Sequence, residues 1–575
     1  MNQRADTAII LTSFAERMNA EAVLGTGGWL PPEEREALDW MTLIALMGWK
    51  VKLQDPQNFH STDIDSQQIK WIILTGNPDS IDRKVWEQIL LITKTKKILF
   101  ITRAGKINGW LSHHFGIHLS ENKSFGKSVE YNCRDFFKQW NLRNPIQLPG
   151  LEINAGFDKL VSISETCIVA STQQAGAKFL FLSFHPGMVR DSEPAFTALL
   201  KQLLIFESLH PVAWFDWENT LILRMDDPGS AQAAYDDSFH NTKLGEKEWE
   251  AIGEELYKRE ARMSLAYVPA WVDDGDDLRG QLEIDGQSVS RVPGNIHPSP
   301  LVKYVKTVRN EDPRIFDYAA EFRGIQKLRN RGLAEVELHG YTHMHPDRKS
   351  WEKATDKYEN KMWFREFGRS SIGFINSLPE EEHPLHSGIK AFQKNFQVLP
   401  TTLICPGEEF TNNVLEKAMN AGLKLVSSYY LGMRIGHQLC WNQHVCSPYL
   451  NLADSYWFDQ ELPVVGYFHD FDLSAHGINW FAQQLDAWQQ AGAKFFIDFR
   501  EFSNVLSHAI SISENADQYQ LNLLSENKLP FIKPVRIGIH IPTKGITTRI
   551  TLNNNNEPYT INLSELEETS LLSKI

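Results

Sequence analysis

Three short segments carry residue types whose spacing could do chemistry. Asp226 and Asp227 are adjacent in LRMDDPG, directly after the apolar run LILRM. Neighbouring side chains on a strand point to opposite faces, but at a strand's frayed end two carboxylates can take different tasks, one on a metal and one on a proton. Alone, Asp-Asp-Pro-Gly also reads as a turn with a solvated acid pair. In ELHGYTHMHPD, His339 and His343 stand four apart, with His345 close behind. Gly340 lets the backbone turn so that both imidazoles can face one point; a polar surface loop is the plain alternative. The third segment, YFHDFDLS, sets His469 at the end of another apolar run, where a lone histidine would serve packing.

Together the segments predict more than each does singly. An Asp/His/His set with an open position suits a catalytic metal site rather than a closed structural one. Such an ion lowers the pKa of water to ~7 and polarises a carbonyl. A second carboxylate can take the water's proton, and a histidine opposite can protonate the departing amine or alcohol. The expectation is metal-assisted hydrolysis of an amide or ester with one divalent ion: zinc first, with cobalt, nickel or manganese as alternatives.

The elements around these segments predict an α/β protein in three parts. Over 1–215, the apolar runs at 8–13, 71–76, 96–102 and 178–184 alternate with helical patterns, one of them beginning at Pro31-Pro32, which suits an open, mostly parallel sheet. Gly25–Gly28 lacks a phosphate-loop pattern and reads as a turn. Over 216–510, after the Trp-rich joint HPVAWFDWENT, about seven strand–helix units suit a (β/α) barrel with its site at the strand C-termini. The strands are expected at 221–227, 262–272, 334–340, 401–407, 424–430, 464–470 and 494–499, with helices at 246–260, after Thr411, and at 478–492. Short strands at 537–543, 548–554 and 559–563 make 511–575 a small β-rich appendage.

Composition bounds the function. Of 575 residues, Lys+Arg minus Asp+Glu is 58 − 72 = −14, which argues against a nucleic-acid backbone binder. No run approaches the ~20 apolar residues of a membrane span. The early apolar run Ala8–Leu11 is soon followed by Glu16 and Arg17, so a cytoplasmic location is expected. Five scattered cysteines imply no disulfide framework.

With these residues in hand, about 218–508 resembles the polysaccharide deacetylase superfamily, the NodB-homology or carbohydrate esterase family 4 fold. LRMDDPG matches its first motif, which implies Asp226 as general base and Asp227 as metal ligand. HGYTH matches the second, implying His339 and His343 as the other ligands. YFHD resembles the motif whose histidine is the general acid, His469 here. LICPGEEF sits where the third motif lies and suggests Pro406, Gly407 and Glu408 as substrate contacts; Cys405 precedes Pro406, where the family offers an arginine that tunes the base. The family's aspartate that orients the acid has only Asp454 and Asp459 as candidates. The resemblance implies an N-deacetylase acting on an N-acetylated sugar or polysaccharide intermediate. More faintly, FHPGMVRD (184–191) resembles the strand end of class I glutamine-amidotransferase-like domains. ITRAGKING (101–109) lacks their nucleophilic cysteine, which implies a non-catalytic relative.

Other segments have plainer readings. Trp214, Trp217 and Trp271 could stack on sugar rings or fill core. The insert 273–333, with its DDGDD loop, could shape a substrate pocket or be solvated. Cys440, His444 and Cys446 lack a fourth ligand for structural zinc and read as packing. Two other function classes stand beside the hydrolase: a non-catalytic carbohydrate-recognition or assembly protein on a degenerate barrel, and a glycoside hydrolase. Glycosidases set their carboxyls across the bond from separate elements, which adjacent Asp226 and Asp227 match poorly.

Overall fold

A computed structural model describes residues 5–13, 23–24, 32–60, 69–133, 136–187, 193–236, 239–309, 311–347, 349, 364–368, 371–429, 431–442, 446–515, 518–525, 533–553 and 559–562. The expected turn at 25–28, all but the first residue of the turn at 553–558, residues 188–191 and His444 lie outside these.

Two nine-stranded sheets dominate. In the first, Lys50–Gln54, Thr7–Leu11, Ile69–Leu74, Leu99–Arg103 and Ala177–Leu182 lie side by side and parallel. The four expected apolar runs supply four of these strands, because strands covered on both faces read as continuous apolar runs. The sheet then continues antiparallel through Thr166–Gln174, Asp158–Ile163, Ile117–Cys133 and Phe136–Ile153. Sequence reasoning missed this half. One face of the long hairpin is solvated, and only alternate residues such as Val129, Tyr131, Trp140 and Leu142 are buried. At the C-terminal edge of the parallel half, the Glu36 carboxylate accepts the Gly76 N–H at 2.9 Å and lies 3.7 Å from His185 Nε2. The crevice that serves ligands in open α/β sheets therefore holds the chain's own carboxylate.

The second sheet carries the three chemical segments. Its parallel strands run in the order Leu425–Ser427, Thr402–Ile404, Ala334–Leu338, Met263–Tyr267, Thr220–Asp226, Val464–His469. Phe495–Ile497 pairs with the first half of Thr220–Asp226, on the edge whose second half takes Met263–Tyr267. Beyond Leu425–Ser427 the sheet turns antiparallel through Leu431–Ile435 and Gln438–Asn442. The expected (β/α) barrel of about seven strands is observed as a parallel sheet with an antiparallel extension. Among the described residues its ends are not joined by a strand ladder. An extended stretch at 446–450 borders Val464–His469, with Leu450 N–H donating to Tyr467 O at 2.7 Å, and Ser447 Oγ reaches Ser428 O at 3.4 Å. This stretch thus links Val464–His469 to the end of Leu425–Ser427, the two outer strands of the parallel part.

The C-terminal strands are woven into the rest. Val535–Ile541 pairs with Val212–Phe215 of the Trp-rich joint and with Ile546–Leu552. His508–Asn515 pairs with Gln518–Ser525, which pairs with Tyr559–Asn562; the first of these strands runs across the expected join at 510. Asp6 N–H donates to Ile510 O at 3.1 Å, and buried Lys70 bonds Asp6 at 2.6 Å and Ile512 O at 3.0 Å. Among the described residues no helix is long and apolar enough to cross a membrane.

Candidate metal and catalytic site

The Thr220–Asp226 strand is buried throughout, and Asp226 is its last residue. The backbone then leaves the strand abruptly, because Asp227 takes a left-handed φ of +78°. A left-handed non-glycine residue costs of order 1–3 kcal/mol and persists only where surroundings enforce it. The turn is tied down by Ser230 N–H on Asp227 O at 2.9 Å. Gly229 must be glycine, since a Cβ there would lie 2.3 Å from Val268 O.

His339 follows the Ala334–Leu338 strand on the same rim, its N–H donating to Tyr267 O at 3.0 Å. Gly340 has φ +70° and His343 φ +65°, so a second irregular turn brings the two imidazoles together, ring centroids 4.7 Å apart. Glu366, buried, holds that turn: it accepts Tyr341 N–H at 2.7 Å, Thr342 N–H at 3.1 Å and the Thr342 hydroxyl at 3.2 Å.

Asp227 Oδ1 lies 3.3 Å from His339 Nε2 and 3.1 Å from His343 Nε2. The three ligand atoms of this group all fall within 4.8 Å of one another, and all three residues are buried. His339 Nδ1 donates to Ile404 O at 2.8 Å, which leaves its Nε2 as a lone pair, the usual outer contact of a metal-ligating histidine. Asp227 Oδ1 is a buried atom with no hydrogen-bond donor among the described residues. Three electron-pair donors that converge in a buried space fit a cation. Burial holds the His343 imidazole below its ordinary pKa; burial also lowers that of His339, but the hydrogen bond with Asp227 and the charges of Asp226 and Asp227 outweigh it and raise it. Burial raises the Asp227 carboxyl, but the charge of His343 and the contacts of both imidazoles outweigh it and hold the group well below its usual range.

Asp226 faces a different neighbour. Arg224 Nε reaches its two carboxylate oxygens at 2.9 and 3.1 Å, and Arg224 Nη2 bonds it as well. The guanidinium is fully buried and shared with Glu408. Burial pushes the Asp226 carboxyl up, yet the charge and hydrogen bonds of Arg224 outweigh it and leave the group below its ordinary pKa. The arginine that the resemblance places in the third motif is absent there, and Arg224 supplies a guanidinium from the strand itself. The signal was legible: residues i and i+2 of a strand share a face.

His469 ends the neighbouring parallel strand and is the register partner of Asp226. Its N–H donates to Asp472 Oδ2 at 2.8 Å; its Nδ1 lies 3.1 Å from the Tyr449 hydroxyl and 3.4 Å from Asp472 Oδ2. Tyr449 also donates to Asp472. Burial lowers the His469 pKa, but Asp472, Asp227 and Asp226 outweigh it and push it up to about 9. Asp472 holds the position beside His469 for which Asp454 and Asp459 were the sequence candidates. Asp454 instead pairs with Arg143 and caps the turn at Ser455–Gln460.

The remaining candidates fall differently. Glu408 is engaged by Arg224, and Pro406 is buried, its Cγ 2.7 Å from where a Cβ on Gly340 would lie. Gly407, φ +63°, packs against Arg365 and Phe364. This segment therefore braces the site. Trp271 is fully buried among Tyr235, Tyr304 and Tyr318 and offers no face to a sugar; Trp214 and Trp217 are likewise core. In the acidic loop, Asp273 and Asp274 are buried against Arg291, so these carboxylates are internal struts.

No family model and no curated protein matches the sequence. Solved structures do match. One is Agd3, a novel carbohydrate deacetylase, at 9% identity over 97% of this chain and 99% of that one, with a TM-score of 0.42. The chain is similar to a carbohydrate deacetylase along nearly its whole length. A second is BA3943, a CE4 family pseudoenzyme from Bacillus anthracis, at 10% identity over 50% of this chain and 66% of that one, TM-score 0.26. A third, a β-galactosidase from Rahnella sp. R3, matches at 16% identity over 35% of this chain and 31% of that one, TM-score 0.24. Likeness at this level assigns no chemistry, and the site has to be read from its own side chains.

Proposed function

We propose that the chain is a metal-dependent hydrolase that removes an acetyl group from a carbohydrate, cleaving the carbon–nitrogen bond of an N-acetylated sugar. The observation that carries this reading is the placement of an arginine-held carboxylate, Asp226, directly after a buried strand, beside the Asp227/His339/His343 group and opposite its register partner His469. A divalent ion held by Asp227, His339 and His343 supplies Lewis acidity toward a carbonyl oxygen and makes water a stronger acid. Asp226, ionised and held by Arg224, takes the proton of the attacking water. His469, its imidazole held by Asp472 and Tyr449, donates a proton to the departing amine nitrogen. Asp226 and His469 thus divide the proton transfers of amide hydrolysis across one strand pair, while Asp227, His339 and His343 would hold the ion.

The guanidinium on Asp226 favours this reading over a recognition protein on a degenerate barrel, because an intact base and its tuning cation serve no purpose in binding alone. The test is acetate release from a panel of N-acetylated oligosaccharides by cobalt- or zinc-loaded protein, compared with Asp226→Asn. Loss of release in the variant supports the assignment. Equal release by the two proteins, or none by either across the panel, overturns it.

A further inference from the structure

Lys243 lies in the loop just before the Glu246–Lys258 helix, yet its side chain is only 2% exposed. A lysine is almost never buried without partners, and this one has three of different kinds. Its Nζ donates to the backbone carbonyl of Asp227 at 3.0 Å, bonds the Asp470 carboxylate, and lies 3.5 Å from Glu321 Oε1. The ammonium also sits 5.2 Å from the centre of the Tyr318 ring. Each partner leads into the site. Asp227 is the ligand with the left-handed backbone. Asp470 directly follows His469 and opens the helix Asp470–Ala491. Glu321 Oε2 in turn accepts Gly229 N–H at 2.8 Å, two residues beyond Asp227. The loop is fixed independently, since Ser474 of that same helix donates to Thr242 O at 3.0 Å.

Resting on the metal reading above, we propose that Lys243 is a positioning residue that yokes the two sides of the site. It holds the Asp227 carbonyl, and with it the carboxylate that would ligate the ion, against the start of the helix that follows His469. A turn at φ +78° is uncommon even for aspartate, which enters this region more readily than most residues, and it persists where the surroundings hold it. Lys243 touches no reacting atom; it acts through Asp227 and Asp470.

The test uses the full chain and cobalt as probe. In Lys243→Met the stem is kept and the ammonium removed. Because two buried carboxylates are then left without their cation, a second variant, Lys243→Met/Glu321→Gln/Asp470→Asn, removes those charges, and the amide oxygen introduced at position 321 can still accept Gly229 N–H. Cobalt is titrated into metal-free protein against a competing chelator, and the visible absorption of the bound ion is recorded. The proposal expects the cobalt dissociation constant to rise about 10- to 100-fold, the usual cost of losing an outer contact to a ligand, with an altered absorption band in whichever variant melts cooperatively. A cooperatively folded variant with wild-type affinity and an unchanged band overturns it. Wild-type protein that takes up no cobalt overturns the metal reading itself, and the yoke with it.

Discussion

Arg224 and Asp226 leave the same face of one strand, two residues apart, and the guanidinium straddles the carboxylate with Nε 2.9 Å from one oxygen and 3.1 Å from the other. The same guanidinium is shared with Glu408, so two buried carboxylates depend on one cation. Arg224→Met leaves both uncompensated. It should cost about 3–5 kcal/mol of stability and lower turnover about 10²- to 10⁴-fold, the scale of a lost general base, with bound-metal content unchanged. Calorimetry, turnover and elemental analysis on one preparation check all three. A variant that stays as stable and as active as wild type rejects the role given to Arg224.

Metal content should follow the Asp227/His339/His343 group. Wild-type protein is expected to hold about one divalent ion per chain, and Asp227→Ala/His339→Ala to hold none. Because an ion that binds only the folded state stabilises it by mass action, about 2.7 kcal/mol at 100 times its dissociation constant, chelation should lower the wild-type melting temperature and leave that of the double variant where it is. Equal metal content in the two proteins would show that the ion lies elsewhere.

In metal-free protein His469 should titrate near pH 9, far above an ordinary imidazole at about 6.5. Its folded pKa is raised, so its contribution to stability is complete below about pH 6.5 and is lost as pH rises through 9. Asp472→Asn removes the neighbour that holds the charge and should shift the titration to lower pH, while Asp454→Asn should not move it. Histidine ring resonances followed by NMR against pH distinguish the two.

Glu337 brings a second raised pKa, in a lower window. Burial pushes its carboxyl up to about 7, against the hydrogen bonds from Thr401 and Thr402. A raised folded pKa favours folding fully below the unfolded value of about 4.3, and that contribution is lost as pH rises through 7. Wild-type stability should therefore fall across that window, and Glu337→Gln should flatten the fall. Parallel denaturant melts from about pH 4 to 8 that keep the same slope in both proteins would reject this.

The chemical segments were legible because each is short and local. The Asp-Asp pair, the histidines four apart and His469 all follow apolar runs that are indeed strands, and a strand's C-terminal rim is where a parallel sheet places its site. Arg224 and Asp472 were within reach of the same reasoning: one lies at i−2 on a strand, the other at i+3 after a helix cap. Glu366, Tyr449 and Lys243 were not, because each reaches the site from a loop or turn distant in sequence, and no periodicity reports which loop will cross which rim. The long hairpin Ile117–Ile153 was missed for a different reason. Its half-solvated strands dilute the apolar signal, whereas the buried parallel strands concentrate it. The aromatic reading erred in the other direction: Trp271 stands near a strand end, as a sugar platform would, but the insert after it folds back and buries it.

The clasp between Lys70, Asp6 and Ile512 has a bearing on how the protein is made. Lys70 and Ile512 are separated by 442 positions, so the ribosome must add that much chain after Lys70 before the last acceptor of its ammonium exists. At 5–20 residues per second this is roughly 20–90 s, during which Asp6 and Lys70 lack the His508–Asn515 backbone that accepts their hydrogen bonds. Nascent chains released short of residue 512 should consequently be cut by protease within the first sheet, while chains released beyond the Val535–Ile541 strand should resist.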